Sequence, residues 1–455
     1  MKLLFALFFL IICQPIPALA QNTLDGRWNG TIYLQGEQVL FSVLFNTADG
    51  EMDGTIDFPQ QSEFNLPVEV PVHTTDSLEF SYNAGGDEVL FRVSLPETLP
   101  DRLNGIHVQS GVELPFSMIR ESAESAVAEE EKLRIDTGSH QISGTLLTPE
   151  ESVSNSIIIL VSGRSGELRN AAVAGFAIFE ELAKRLSDFG FSTFRYDSRG
   201  TGSSTGNPDA TLQELGEDLK AVSTYLREEV ADSLVYIGHG YGSIVSLLGA
   251  TEQPPSKVVL LAPPLLPGDE IIDLQIRSMA DLQDIPDNVV EENLQFQQRV
   301  NEAARADTGW DSLEADIERR LINQIEELPD RQRETLGEMD QFIDAQVRRQ
   351  LEGSKTRWYR SFISMNPSEL LEEQQAPTLL LFAGKDTEIT AEANRRALDN
   401  INREVLHTTI DEANHLFQNA NSGMPGEYGA LDQEFADGLL QQVVGFLLQV
   451  NRPNP

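Results

Sequence analysis

Residues 235–246, VYIGHGYGSIVS, constrain the fold more than any other stretch. An apolar strand runs into a turn with glycine at positions 238, 240 and 242, and an apolar helix leaves it. Glycines so spaced suit a turn too tight for side chains. The same strand–helix alternation recurs on either side. Ile157-Ile158-Ile159-Leu160-Val161, FSTFRYD ending at Asp197, KVVLLAPP at 257–264 and APTLLLFAGKD ending at Asp386 read as buried strands. Amphipathic helices fall between them, through Phe176, Phe179, Leu182 and Leu186, around Leu212 to Leu226, and around Ala391 to Leu398. Strands that are apolar throughout, alternating with helices, predict a mostly parallel sheet with helices on both faces, an α/β fold.

Two regions depart from that alternation. Residues 21–120 carry period-two runs such as Phe41, Val43, Phe45 and Val89, Phe91, Val93, Leu95, separated by turn signals including Asp49-Gly50 and Gly85-Gly86. These predict a small all-β domain, a compact barrel or sandwich. His73 and His107 within it are isolated, which favours surface or satisfied positions over ligation. The acidic stretch 121–132, ESAESAVAEEEK, reads as a linker or short exposed helix, and the α/β domain is expected over 133–453. Residues 268–353 are charged and poor in strands, with a helical stripe at Leu313, Ile317, Leu321 and Ile325. They read as a helical insertion, and their position makes it a candidate cap over a pocket beyond the strand ends.

Composition limits the partners. With 33 basic and 72 acidic residues the net charge is −39, a field that repels nucleic acid and anionic membranes. Lys2, the run LLFALFFLII and Ala18-Leu19-Ala20 read as a signal peptide over residues 1–20. A retained anchor is the alternative, although the apolar run is too short to span a bilayer. The one cysteine, Cys13, lies in that segment, so thiol and disulfide chemistry are absent from the rest of the chain. The mature protein is expected to be periplasmic or secreted, without stable membrane insertion.

Three candidate site residues follow strand ends in a fixed order. Gly240 is at the tip of the turn, Asp386 closes Ala383-Gly384-Lys385-Asp386, and His415 lies in Ala413-Asn414-His415-Leu416-Phe417. A nucleophile, an acid and a histidine in that order make a hydrolytic triad, in which the carboxylate fixes the imidazole and the imidazole takes the nucleophile's proton. Here the first place holds glycine.

Further motifs carry a resemblance. Asp197-Ser198-Arg199-Gly200-Thr201-Gly202-Ser203-Ser204-Thr205-Gly206, LLAPPLLPG, Trp358-Tyr359-Arg360-Ser361-Phe362 and Asn414-His415-Leu416-Phe417-Gln418 appear in order. From Leu133 onward the chain resembles bacterial exported α/β-hydrolases of the esterase EstD and serine-aminopeptidase-like group. The resemblance implies an α/β-hydrolase fold with a cap and hydrolysis of a small-molecule carboxylic ester through an acyl-enzyme, with no metal or cofactor. It makes Asp386 the acid and His415 the base. The backbone N–H of Tyr241 and one from Gly163 or Arg164 would form the oxyanion hole. Two departures stand out: Gly240 replaces the elbow serine, and Ser162-Gly163-Arg164-Ser165-Gly166 replaces the usual His-Gly start of the oxyanion loop. Asp197, Arg199 and His239 read as structural. Asp386 also suits a helix cap. Ser162, Ser165 and Ser243 are the candidates for a relocated nucleophile, and a ligand-binding protein without catalysis is the alternative function.

Overall fold

The computed structural model describes residues 24–449 apart from 35–36, 49–50, 59–62, 85–86, 97–98, 100–101, 110–111, 121–128, 252–253 and 327–338. The expected signal peptide, most of the expected linker and the turn signals at 49–50 and 85–86 lie outside these residues. The described residues divide into two compact units, the first within residues 24–120 and the second within residues 129–449.

The first unit is a closed barrel of eight antiparallel strands: β1 (Gly26–Leu34), β2 (Glu37–Ala48), β3 (Glu51–Phe58), β4 (Glu63–His73), β5 (Ser77–Ala84), β6 (Asp87–Ser94), β7 (Arg102–Gln109) and β8 (Val112–Arg120). Each strand pairs with the next, and β1 closes the ring on β8 with Trp28 opposite Arg120. The period-two residues point inward. Phe41, Phe45, Phe80 and Phe91 are fully buried, and Phe80 stacks on Phe91 with centroids 4.6 Å apart. A barrel of this strand number is just wide enough for side chains to fill. His107 is buried against the Phe91 ring at 5.0 Å, and burial lowers its pKa. It is therefore a core residue rather than a surface one.

The second unit is built on an eight-stranded sheet. Its strands are β9 (Glu129–Asp136), β10 (Gln141–Thr148), β11 (Ser156–Val161), β14 (Ser192–Tyr196), β15 (Ser233–His239), β16 (Lys257–Leu261), β17 (Thr378–Ala383) and β18 (Leu406–Ile410). The spatial order is β18-β17-β16-β15-β11-β14-β10-β9. β9 and β10 run antiparallel to their neighbours, and the remaining pairs are parallel. A small hairpin, β12 (Ala172–Val173) with β13 (Phe176–Ala177), stands apart. β9 begins at Glu129, inside the stretch read as linker. Its four acidic and basic leading residues are exposed and are held by backbone pairing to β10, from Glu129 opposite Thr148, and by an ion pair of Glu130 with Arg195 at 2.9 Å, which hydropathy does not reveal.

Helices α1 (Ile178–Asp188), α2 (Leu212–Glu229) and α3 (Gly242–Gly249) follow β13, β14 and β15. α2 starts at a capping box, Thr211 accepting from the Glu214 N–H at 3.2 Å while the Glu214 carboxylate accepts from the Thr211 N–H at 2.8 Å. Leu215, Leu219 and Val222 of α2 pack with Ile244 and Val245 of α3 against Ile157, Ile159 and Tyr236 of the sheet. α1 lies outside that cluster and packs against β14 and β10 of the sheet and against α11 (Leu439–Leu448).

Between β16 and β17 lie α4 (Gly268–Leu282), α5 (Asp287–Ala306), α6 (Trp310–Glu326), α7 (Met339–Leu351), α8 (Arg357–Phe362) and α9 (Pro367–Glu373). The insertion thus reaches about twenty residues beyond the expected end at 353, because α8 and α9 are too short to show a helical period. Leu313, Ile317 and Ile325 are buried as the stripe predicts. α10 (Ala391–Ala397) follows β17.

The Asp197 to Gly206 loop is a structural clamp. Asp197 accepts two bonds from the Arg169 guanidinium, at 3.0 and 2.6 Å, and one from the Ser203 N–H at 3.0 Å. Arg199 forks onto Asp218 of α2 with two bonds of 2.6 Å and reaches the Glu214 carbonyl at 2.7 Å. Removing Arg199 leaves the buried Asp218 carboxylate with only His140 Nε2, at 2.9 Å, beside it among the described residues, and losing one partner of a buried pair is costly. Arg199→Ala is expected to lower the unfolding free energy by about 3 kcal/mol in urea titration. Arg199→Lys, which lacks the planar fork, should recover less than half of that loss.

Candidate functional site

The turn after β15 fixes the site. Gly240 has φ +53° and donates its N–H to the Leu261 carbonyl at 2.8 Å, so the chain reverses at the edge of β16 and enters α3 directly. A Cβ at Gly240 would lie 3.1 Å from Nε2 and 3.3 Å from Cε1 of His415. That is the direction in which any side chain at 240 would point. The loop after β11 closes on the same place. A Cβ on Gly163 would lie 2.1 Å from the Tyr241 carbonyl carbon, so only glycine permits this contact. Tyr241 precedes the first turn of α3, where backbone N–H groups lack partners within the helix.

His415 and Asp386, 29 residues apart, meet at 2.7 Å through Nδ1 and Oδ2, and both are buried. The other carboxylate oxygen, Oδ1, accepts from the N–H groups of Glu388 and Ile389, each at 2.8 Å. Asp386 therefore holds the imidazole and closes the turn that follows it, and it does not cap the next helix, which begins at Ala391 behind Thr390. With Nδ1 donating to Asp386, Nε2 faces the cavity and Gly240. The His415 loop is fixed by Asn414, whose side chain accepts from the Leu416 and Gln418 N–H groups at 3.0 and 2.9 Å. Phe417 sits in the left-handed region with φ +60°, a strained state that this packing maintains. His239 donates from Nε2 to the His415 carbonyl at 2.8 Å. Burial, with His415 adding to it, pushes the His239 pKa down to about 3, so it stays neutral and acts as a strut.

His239 and His415 line a cavity of about 350 Å³, while Asp386 stands behind His415 and is not among the lining residues. Gly163, Arg164, Gly240, Tyr241 and His415, all candidates from the sequence, are among its walls. The candidate serines are not. Ser243 donates to the Gly238 carbonyl at 3.2 Å, Ser165 to the Ala210 carbonyl at 3.1 Å, and Ser162 pairs with the Ser198 hydroxyl at 3.3 Å. Each hydroxyl is tied to the scaffold.

The cavity also holds residues that the sequence did not single out. Glu167, half-buried, has its pKa raised by burial, against the opposing pull of Arg164, of the N–H groups of Arg164 and Gly163, and of His415. Glu388 accepts from the Tyr428 hydroxyl at 3.0 Å. The Arg164 guanidinium lies over the Tyr241 ring at 5.0 Å. Trp358 of α8 donates from Nε1 to the Gly163 carbonyl at 2.7 Å. The Trp358–Phe362 motif marked this last segment, but no local signal reveals which carbonyl an indole reaches 195 residues away.

Residues 174–420 match the family described as "Serine aminopeptidase, S33". The chain belongs to this family of hydrolases, and its second unit has an α/β-hydrolase fold. It is similar to esterase EstD of Thermotoga maritima, with 22% identity over 309 residues that make up 66% of this chain and 65% of that esterase. Among solved structures it is similar to an esterase of Pyrococcus furiosus, at 15% identity and TM-score 0.39, covering 63% of this chain and 82% of that one. A proline iminopeptidase of Mycobacterium smegmatis aligns at 15% identity and TM-score 0.40, over 70% of this chain and 97% of that one. Among the described residues no helix is long and apolar enough to cross a membrane.

Burial works to lower the His415 pKa, but the charge and hydrogen bond of Asp386 outweigh it and the net shift is upward from 6.5. The pair therefore stabilises the fold most fully below the unfolded value near 6.5, and that contribution is lost as pH rises through the folded pKa. Asp386→Asn removes the two largest raising causes and leaves burial and Arg164 opposed only by the charge of Glu388. NMR titration of the imidazole is expected to place His415 above 6.5 in the wild type and below it in Asp386→Asn.

Proposed function

We propose that this is an exported ester-hydrolase protein, periplasmic or secreted, whose cavity holds a small carboxylic ester but whose acyl-enzyme route is closed at Gly240. One observation carries this reading: the Asp386–His415 pair is assembled, and Nε2 faces a residue with no side chain. In this reading Gly240 takes the place of the nucleophile. Tyr241, with Gly163 or Arg164, supplies the oxyanion donors, and the signal peptide over residues 1–20 directs export.

Without a serine, the group left to attack an ester is water. His415 Nε2 accepts a proton as the water oxygen bonds to the acyl carbon, and returns it to the departing alkoxide as the acyl–oxygen bond breaks. The products are an acid and an alcohol, with no covalent intermediate. This path is slow, since loss of the nucleophile in a serine protease leaves only about 10³–10⁴-fold catalysis over water. It also requires neutral imidazole, so the rate should climb with pH through a value above the ordinary 6.5 of histidine. The binding reading, a protein that holds an ester without turning it over, shares the same cavity and differs only in rate.

The test compares wild type with Gly240→Ser on short-chain nitrophenyl esters and a fluorophosphonate probe. Restoring the serine requires His415 to yield by a few tenths of an ångström, because the new Cβ lies 3.1 Å from Nε2. Gly240→Ser is expected to gain probe labelling and to hydrolyse esters about 10³-fold faster or more. Labelled wild type would show that a serine route survives. Silence in both proteins would remove hydrolysis and leave binding.

A further inference from the structure

The inserted helix α8 reaches the site through its side chains. Trp358 Nε1 bonds the Gly163 carbonyl at 2.7 Å, and the Trp358 ring stacks on Phe362 at 5.4 Å, while both rings meet Tyr241 edge-on at 5.1 and 4.7 Å. Ser361 anchors the helix, accepting from the Leu212 N–H at the start of α2 at 3.0 Å and donating to the Trp358 carbonyl at 2.7 Å. Tyr359 adds a hydroxyl bond to Asn301 of α5 at 2.5 Å. The indole is thus held from both sides.

The Gly163 carbonyl and the Arg164 N–H belong to one peptide group. In a trans peptide these two dipoles point in opposite directions, and no cis bond occurs among the described residues. A donor that fixes the carbonyl on the α8 side therefore fixes the N–H on the opposite side. That side is the cavity: the Arg164 and Gly163 N–H groups both act on the carboxyl of Glu167, a cavity wall residue that also feels His415.

We propose that Trp358 is a positioning residue, whose indole N–H holds the Gly163 carbonyl toward α8 and thereby aims the Arg164 N–H into the cavity as an oxyanion donor. This rests on the reading of the cavity as an ester site. It gives the inserted helices a specific role: the orientation of one peptide depends on where α8 sits. A ligand that displaces α8 would release that peptide, and one that seats α8 would fix it.

Trp358→Phe keeps a ring against Phe362 and Tyr241 and removes only the donor. In the full chain with ¹⁵N-labelled arginine, the Arg164 amide resonance is expected to move while the melting temperature holds. In the Gly240→Ser background, Trp358→Phe should lower kcat on an oxygen ester about tenfold to hundredfold at unchanged KM. The matching thionoester, whose sulfur accepts hydrogen bonds weakly, should lose far less, so the ratio of the two rates narrows. An unmoved Arg164 amide overturns the proposal, as does an equal loss on both substrates or an effect on KM alone. Absence of turnover in every protein would sink the ester-hydrolase reading and leave the amide resonance to decide the role of Trp358.

Discussion

The close approach of two backbones at the ends of β11 and β15 is the contact on which the site depends. Val161 and Gly238 are register partners, and beyond them the two strands diverge into different loops. Those loops would separate if either carried side chains inward. A Cβ on Gly242 would lie 2.0 Å from the Val161 carbonyl oxygen, and one on Gly163 would strike the Tyr241 carbonyl group. Glycine at both places lets main chain lie on main chain. Gly163 and Arg164 of the loop and Gly240 and Tyr241 before α3 then line one cavity. Packing therefore brings the two loops together before any charge is considered.

Electrostatics then divides the cavity. Asp386 lies behind His415 and supports a proton on the imidazole, while Glu167 opposite tends toward its neutral form through burial. Arg164 stacks over Tyr241 rather than forming an ion pair across the cavity. The site thus keeps a base of raised pKa beside an acid of raised pKa, a pairing that the chain's net charge of −39 does not disclose. Overall charge bears on partners and environment, and local burial decides protonation.

The sequence revealed those parts of the structure that repeat with a period or stand at strand ends. Apolar runs such as Ile157-Ile158-Ile159-Leu160-Val161 are buried on both faces, and the alternating residues of β2, β5 and β6 fill the barrel. Asp386 and His415 were visible because each follows a strand in a recognisable order. Glu167 was not, since an acidic residue in a loop looks like any of the other 71 acidic residues until burial is known. Trp358 belonged to a visible motif, yet its partner is a carbonyl, and backbone atoms have no sequence signature. The start of β9 falls in the stretch that reads as linker because its leading residues are acidic or basic, and backbone pairing to β10 with the Glu130–Arg195 ion pair leaves no apolar pattern there.

The arrangement around Gly240 does not depend on a side chain at that position, and the hydrogen bonds give the reason. Each surrounding group has a second partner that is independent of residue 240. Asp386 caps the turn at Glu388 and Ile389 with the oxygen that His415 does not use. His239 braces the His415 carbonyl, and Asn414 closes the same loop on itself. Trp358 is locked by Ser361 and by the Tyr241 and Phe362 rings. Glycine at 240, at φ +53°, avoids the cost that a side chain would meet in the left-handed region. The turn is therefore less strained with glycine than with a side chain, and nothing in the fold requires a serine there. A shell built this way stands on its own hydrogen bonds, and the imidazole is aimed at position 240 whether or not a nucleophile stands there.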